Sequence, residues 1–235
     1  MRRNRHVIGA VVLAGLLGGC DAISPETNAP SISYDMAADA GRPFSDRRPA
    51  ALMLEGLELS KLRGLLMKRI PNGWYTTATN DMFILAVVGD EGTAEYIEQL
   101  YTRVPDTRED EASMTVMLHT AVAEIRNRLG THAFEIAGDP YALSPARVTA
   151  ALRLSAAERG RMQALLLARV PGKWDVSTAN DVGVLAEIGD EAAAQALEAA
   201  TGYPDTGKLT TRLRSAIDQI RRRMAGGGEE PMPGN

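Results

Sequence analysis

The chain has 235 residues, of which 45% are hydrophobic, 24% charged and only 5% aromatic. That length is ample for a buried core, and a formal net charge of −4 disfavours nucleic acid as a partner. A single cysteine excludes an intrachain disulfide and a thiolate-rich metal site.

Residues 1–19 read as a leader rather than as part of a fold. Arg2, Arg3 and Arg5 form a positive start, and Val7 to Leu17 is an apolar run. That run is shorter than the roughly 20 residues a bilayer span needs, so it fits a secretory signal peptide. Leu17-Gly18-Gly19-Cys20 follows, and it resembles the lipobox of bacterial lipoproteins. The resemblance implies cleavage before Cys20, lipidation of its thiol, and attachment to a membrane surface facing the periplasm or the exterior. Several acyl chains on one cysteine hold firmly, since each buried methylene adds about 0.8 kcal/mol. Loss of the leader removes three of the 26 basic residues, leaving 23 against 30 acidic. The resulting charge of about −7 also disfavours non-specific attraction to anionic lipid. Residues 20–48 are rich in Pro, Ser, Asn and Asp, and they read as the lipidated Cys20 followed by a disordered tether.

From residue 49 onward the apolar spacing is helical. Helices are expected near 49–58, 60–69, 78–88, 90–101 and 111–129, and again near 145–153, 156–169, 178–188, 190–200 and 208–224. Met114, Met117, Leu118, Ala121, Val122, Ile125 and Leu129 fall on one face of the fifth. Pro71 and Pro171 stop the helices that end at Ile70 and Val170. Ser60, Thr77, Ser144, Ser155 and Ser177 are candidate N-caps, and Ser155 with Glu158 has capping-box spacing. Gly89-Asp90 and Gly189-Asp190 read as a C′ glycine followed by an N-cap aspartate. The chain then ends in a disordered tail over 226–235.

These two sets of helices are copies. Residues 65–91 recur at 165–191, a constant offset of 100, with 12 of 27 positions identical. Unrelated segments would share roughly two. The organisation expected is helical module 1 over 49–140 and helical module 2 over 141–225. The strings LAVVGDEGTAEYIEQL and LAEIGDEAAAQALEA, each followed by a helix with an Ala/Ile seam (AVAEI and AIDQI), resemble a HEAT-like (PBS-lyase-type) repeat. Leu85, Ala86, Gly89, Asp90 and Ala94 carry the resemblance, with their counterparts at 185, 186, 189, 190 and 194. The RIPNGW and RVPGKW segments depart from it. The resemblance implies an all-α fold, two tandem multi-helix modules forming a short α-solenoid, of the sort that serves as a protein-binding scaffold.

Chemistry-bearing patterns are sparse. His6 lies in the leader, and neither His119 nor His132 has a partner at metal-ligand or triad spacing. No phosphate-binding glycine loop and no hydrolase motif occurs. No cofactor is expected, and the chain reads as a non-enzyme. The sharper candidate is the duplicated Trp–Asn–Asp loop: Trp74, Asn80 and Asp81, with Trp174, Asn180 and Asp181. An indole could stack on a peptide or a sugar while the amide and carboxylate hydrogen-bond to it. The same residues could instead plug an interhelical gap and favour a helix start. Arg69, Arg126 and Arg128, with Arg169, Arg221 and Arg223, read as helix-end caps or as partners of a preceding carboxylate. The function expected is a membrane-anchored scaffold that binds an envelope protein, held through Cys20. The alternative is an envelope glycan or peptide-ligand binding protein using the Trp/Asn-Asp loops, with weak hydrolysis as an added option.

Overall fold

Alanine and leucine at 3.6-residue spacing build twelve α-helices among the described residues, packed in sequential pairs. The structure is a computed structural model, and it describes residues 30–72, 76–102, 109–170, 176–202 and 209–226. The first six helices are α1 (Ile32–Ala38), α2 (Phe44–Leu52), α3 (Gly56–Arg69), α4 (Thr76–Val88), α5 (Glu91–Tyr101) and α6 (Glu109–Leu129). The second six are α7 (Ala133–Gly138), α8 (Ser144–Leu152), α9 (Ala156–Arg169), α10 (Val176–Ile188), α11 (Glu191–Ala200) and α12 (Thr210–Gly226). Each helix of the first copy has its counterpart in the second. The same neighbours pack in both: α2 with α4, α4 with α6, and α5 with α6 match α8 with α10, α10 with α12, and α11 with α12.

The tether expected over 20–48 does not describe residues 30–48. Ser31 caps α1 by accepting a bond from the Tyr34 amide, and α2 begins at Phe44. Two side chains of this stretch, Ala37 and Arg47, are fully buried. Neither is a large apolar residue, so hydrophobic periodicity passes over both. The repeat accordingly starts near residue 31 and again near 131. The identities at offset 100 run upstream too, through Ala37, Asp39, Arg47, Ala50, Ala51 and Leu54.

Several expected boundaries shift. Pro49 lies inside α2 rather than at its start. Ser60 sits within α3, which begins at Gly56 after Glu55. Thr77 and Ser177 lie one residue inside α4 and α10, and Ser144 is the first residue of α8 rather than its cap. Ser155 forms the complete capping box with Glu158. Asp90 and Asp190 cap α5 and α11, accepting from the Thr93 and Ala193 amides at 2.9 and 3.0 Å.

Gly89 and Gly189 are not left-handed C′ residues; among the described glycines only Gly56 and Gly130 have positive φ. Gly89 leaves no room for a side chain: an added Cβ would lie 2.6 Å from Leu85 O of α4 and 2.8 Å from Ile125 Cδ1 of α6. Gly130 does close a helix in the left-handed region, φ 78°, letting the Thr131 amide reach Arg126 O at the end of α6.

Two cores result. One gathers Leu62, Leu66, Ile84, Leu85, Ile97, Leu118 and Ile125 of the first copy. The other gathers Leu166, Val184, Leu185, Leu197, Leu213 and Ile220 of the second, and it takes in Ala123 of α6. Helix α6 therefore serves both copies, and it packs against α8.

Candidate functional site

Asp81 and Asp181 lie within α4 and α10 and point inward, at 0% and 1% exposure. Arg47 reaches Asp81 Oδ1 through Nη2 at 2.5 Å and donates from Nε to Ala37 O at 2.9 Å. Arg147 does the same with Asp181 and with Ala137 O. Arg69 and Arg169 donate to Ala38 O and Gly138 O, at 2.6 and 2.7 Å, and stand 4.0 and 3.9 Å from the same carboxylates. One buried carboxylate thus ties the first four helices of each copy together. Burial pulls the Arg147 guanidinium below its ordinary value, against the opposing hydrogen bond and charge of Asp181. Both carboxylates are engaged by arginine and withdrawn from solvent. Of the other candidates, Asn80 and Asn180 are half-buried, while Trp74, Trp174 and Cys20 lie outside the described residues.

The remaining recurring arginines close helix ends. Arg128 donates to Gly89 O, and Arg223 donates to Ala186 O, Glu187 O and Gly189 O. Arg63 adds a bond to Val88 O at 2.6 Å and an ion pair with Asp90 at 2.5 Å. Burial opposes ionisation of Asp90, yet the Thr93 bonds and Arg63 outweigh it and hold the carboxyl below its usual range. Arg126 clamps Glu91 and Glu98, and Arg221 clamps Glu191 and Glu198.

At the junction of the copies His119 Nδ1 meets Asp139 Oδ2 at 2.7 Å. Its ring stacks on Tyr101, with centroids 3.8 Å apart, and tilts against Tyr141 at 4.9 Å. Burial would raise the Asp139 carboxyl, but His119 and the Tyr141 and Ala142 amides hold it below its ordinary value. Burial and the charges of Asp139 and Glu98 push the Tyr101 phenol upward. A hollow of about 220 Å³ lies here, lined by His119, Asp139, Tyr101, Glu98, Arg126 and Glu135 among others. No serine, threonine or cysteine is among its lining residues. Sequence spacing does not reveal this pair, because the turn after α6 brings together residues 20 apart.

The two copies differ at one surface in the space they leave open. In the second copy a cleft of about 530 Å³ opens between α8, α10 and α12. Ser144, Asn180, Gly183, Glu187, Arg212, Ser215 and Gln219 line it. The positions equivalent to Ser144 and Gly183 in the first copy are Phe44 and Phe83, whose rings meet at 5.6 Å. Val87 stands in place of Glu187; in the last helix of each copy, where Ile125 matches Ile220 and the offset is 95, Met117 stands in place of Arg212. Large apolar side chains therefore fill in one copy what small and polar side chains leave open in the other. Gln219 Nε2 donates to Glu187 Oε1 at 2.7 Å. Among the described residues no carboxylate pairs with Arg212. The volume lies within the range of about 300–1,000 Å³ usual for small-ligand sites.

No family model, no curated protein and no solved structure matches the chain. What the helices and their packing define is an all-helical protein built from a six-helix unit used twice. Among the described residues no helix is long and apolar enough to cross a membrane, and no cluster of three or more metal-ligating side chains occurs.

Proposed function

We propose that the protein is a lipid-anchored, HEAT-like α-solenoid that binds another protein at the cell-envelope surface and catalyses no reaction. The lipobox-like Leu17–Cys20 segment supports the anchor, and the paired helices in two copies support the solenoid. The observation that carries the binding role is the cleft of the second copy. A duplicated fold keeps what folding needs, and Arg47/Arg147, Asp81/Asp181 and Asp90/Asp190 are such residues. Function has room where the copies diverge, and the divergence at Phe44/Ser144 and Phe83/Gly183 opens a site. The test is capture of envelope proteins by the native chain and by Ser144→Phe/Gly183→Phe, which copies the first repeat. A partner held by the native chain and lost by the double variant is the expected result. Equal recovery by both, or no partner in either, counts against the reading. Membrane attachment is checked separately: Cys20→Ser should release the protein from the membrane fraction.

A second reading is a small-ligand binding protein for peptide or glycan. Asn180 favours it, since this half-buried amide lines the cleft while its neighbour Asp181 is locked to Arg147.

A further inference from the structure

The charged groups of the second-copy cleft are separated along its length. Glu187 is bonded to Gln219, which places the carboxylate beside residue 219 of α12. Arg212 lies seven residues earlier on the same helix and lines the same cleft. Seven helical residues span about 10.5 Å. An extended peptide of three residues spans about 10 Å. The walls of the same cleft also carry Ser144, Asn180 and Ser215, hydroxyl and amide groups that suit a peptide main chain.

We propose that this cleft binds a free peptide of about three residues, with its terminal ammonium at Glu187 and its terminal carboxylate at Arg212. The proposal rests on the peptide-ligand reading above. Arginine gives a carboxylate two parallel donors, and Glu187 keeps Oε2 for an ammonium while Oε1 accepts from Gln219. The first copy lacks both charges, with Val87 and Met117 at these positions and Phe44 and Phe83 filling the space. One ligand per chain is therefore expected, not two.

Calorimetric titration of the full chain in detergent with trialanine, N-acetyl-trialanine and trialanine amide tests this. Trialanine should bind at one site, and blocking either end should weaken binding roughly tenfold to a hundredfold, as loss of a charge-assisted bond does. Arg212→Gln should bind the free peptide and its amide equally, and Glu187→Gln should bind the free and acetylated peptides equally. Ser144→Phe/Gly183→Phe should abolish binding. Arg212 is exposed, so the Arg212→Gln result stands even if the double variant fails to fold. Equal binding of free and blocked peptides overturns the proposal and leaves the peptide-ligand reading in place. No binding of any of the three peptides overturns the proposal and counts against that reading with it.

Discussion

At the residue scale the buried Arg–Asp pairs dominate. Taking two charges out of water is costly, and their attraction offsets that cost only while both remain. Arg147→Met should therefore destabilise the protein by about 3–5 kcal/mol, because Asp181 is left buried with only the longer contact to Arg169, at 3.9 Å. Arg147→Met/Asp181→Leu should lose much less, because no charge is then stranded. Urea denaturation of the three proteins checks the order; a double variant weaker than the single one would contradict it. A second residue-scale effect concerns acid. Asp139 is held below its ordinary value in the folded protein, so it binds a proton less readily there than in the unfolded chain. Its stabilisation is present above the unfolded value, about 3.9, and is lost as pH falls through the lower folded value. Asp139→Asn should flatten the fall of Tm below about pH 4, at the expense of a lower Tm at neutral pH. Thermal scans from pH 7 to pH 2 would show whether the two curves converge in acid.

At the element scale, helix ends and close approaches decide. At Gly89 and Gly189 an added Cβ would meet the backbone oxygen of Leu85 or Leu185 at 2.6 Å, and beyond it Ile125 Cδ1 of α6 at 2.8 Å or Ile220 Cδ1 of α12 at 3.1 Å. Gly189→Ala should cost about 1–3 kcal/mol by overpacking, and Gly89→Ala slightly more given its tighter contact. A thermal shift under 1 °C in both would show that the backbone at the ends of α4 and α10 can shift to admit the Cβ. Some caps and seams were legible in the sequence, although Ser60, Thr77, Ser144 and Ser177 lie inside their helices rather than capping them. Asp90, Asp190 and the Ser155–Glu158 box are local signals, and the long helices repeat their apolar residues at helical spacing. Helices α1 and α7 were not legible that way. They are only seven and six residues long, and a buried arginine from the following helix grips their C-terminal carbonyls. The offset of 100 could have found them, because Ala37/Ala137 and Arg47/Arg147 obey it. The site was less legible still. Asn180 stood out as a repeated residue, but the cleft around it arises from Ser144 and Gly183, positions where the repeat fails. Identity between copies points to folding, and only the structure shows which differences leave space.

At the scale of the whole molecule, α6 makes two copies into one body. Ala123 sits in the core of the second copy, and Asn127 donates from its buried amide to Ala146 O at 2.8 Å. Arg153 returns a bond to Asn127 O, Thr120 Oγ1 accepts from the Leu143 amide at 3.1 Å, and His119 holds Asp139. In a chain of repeated units, stability is a sum of unit terms and interface terms, and a strong interface makes the units unfold together. The junction here combines apolar packing, satisfied buried backbone groups and an imidazole–carboxylate bond. A single calorimetric transition is therefore expected, with the calorimetric enthalpy equal to the van't Hoff value. Ala123→Glu would force a longer, charged side chain into the place Ala123 fills in the second core, and Asn127→Ala would leave Ala146 O without its donor. Together they should split the transition in two, the second copy melting first because the charge lands in its core. Two transitions already present in the native chain would mean that the junction is weaker than its contacts imply. One transition surviving in the double variant would mean that α6 couples the copies through its helix rather than through these side chains.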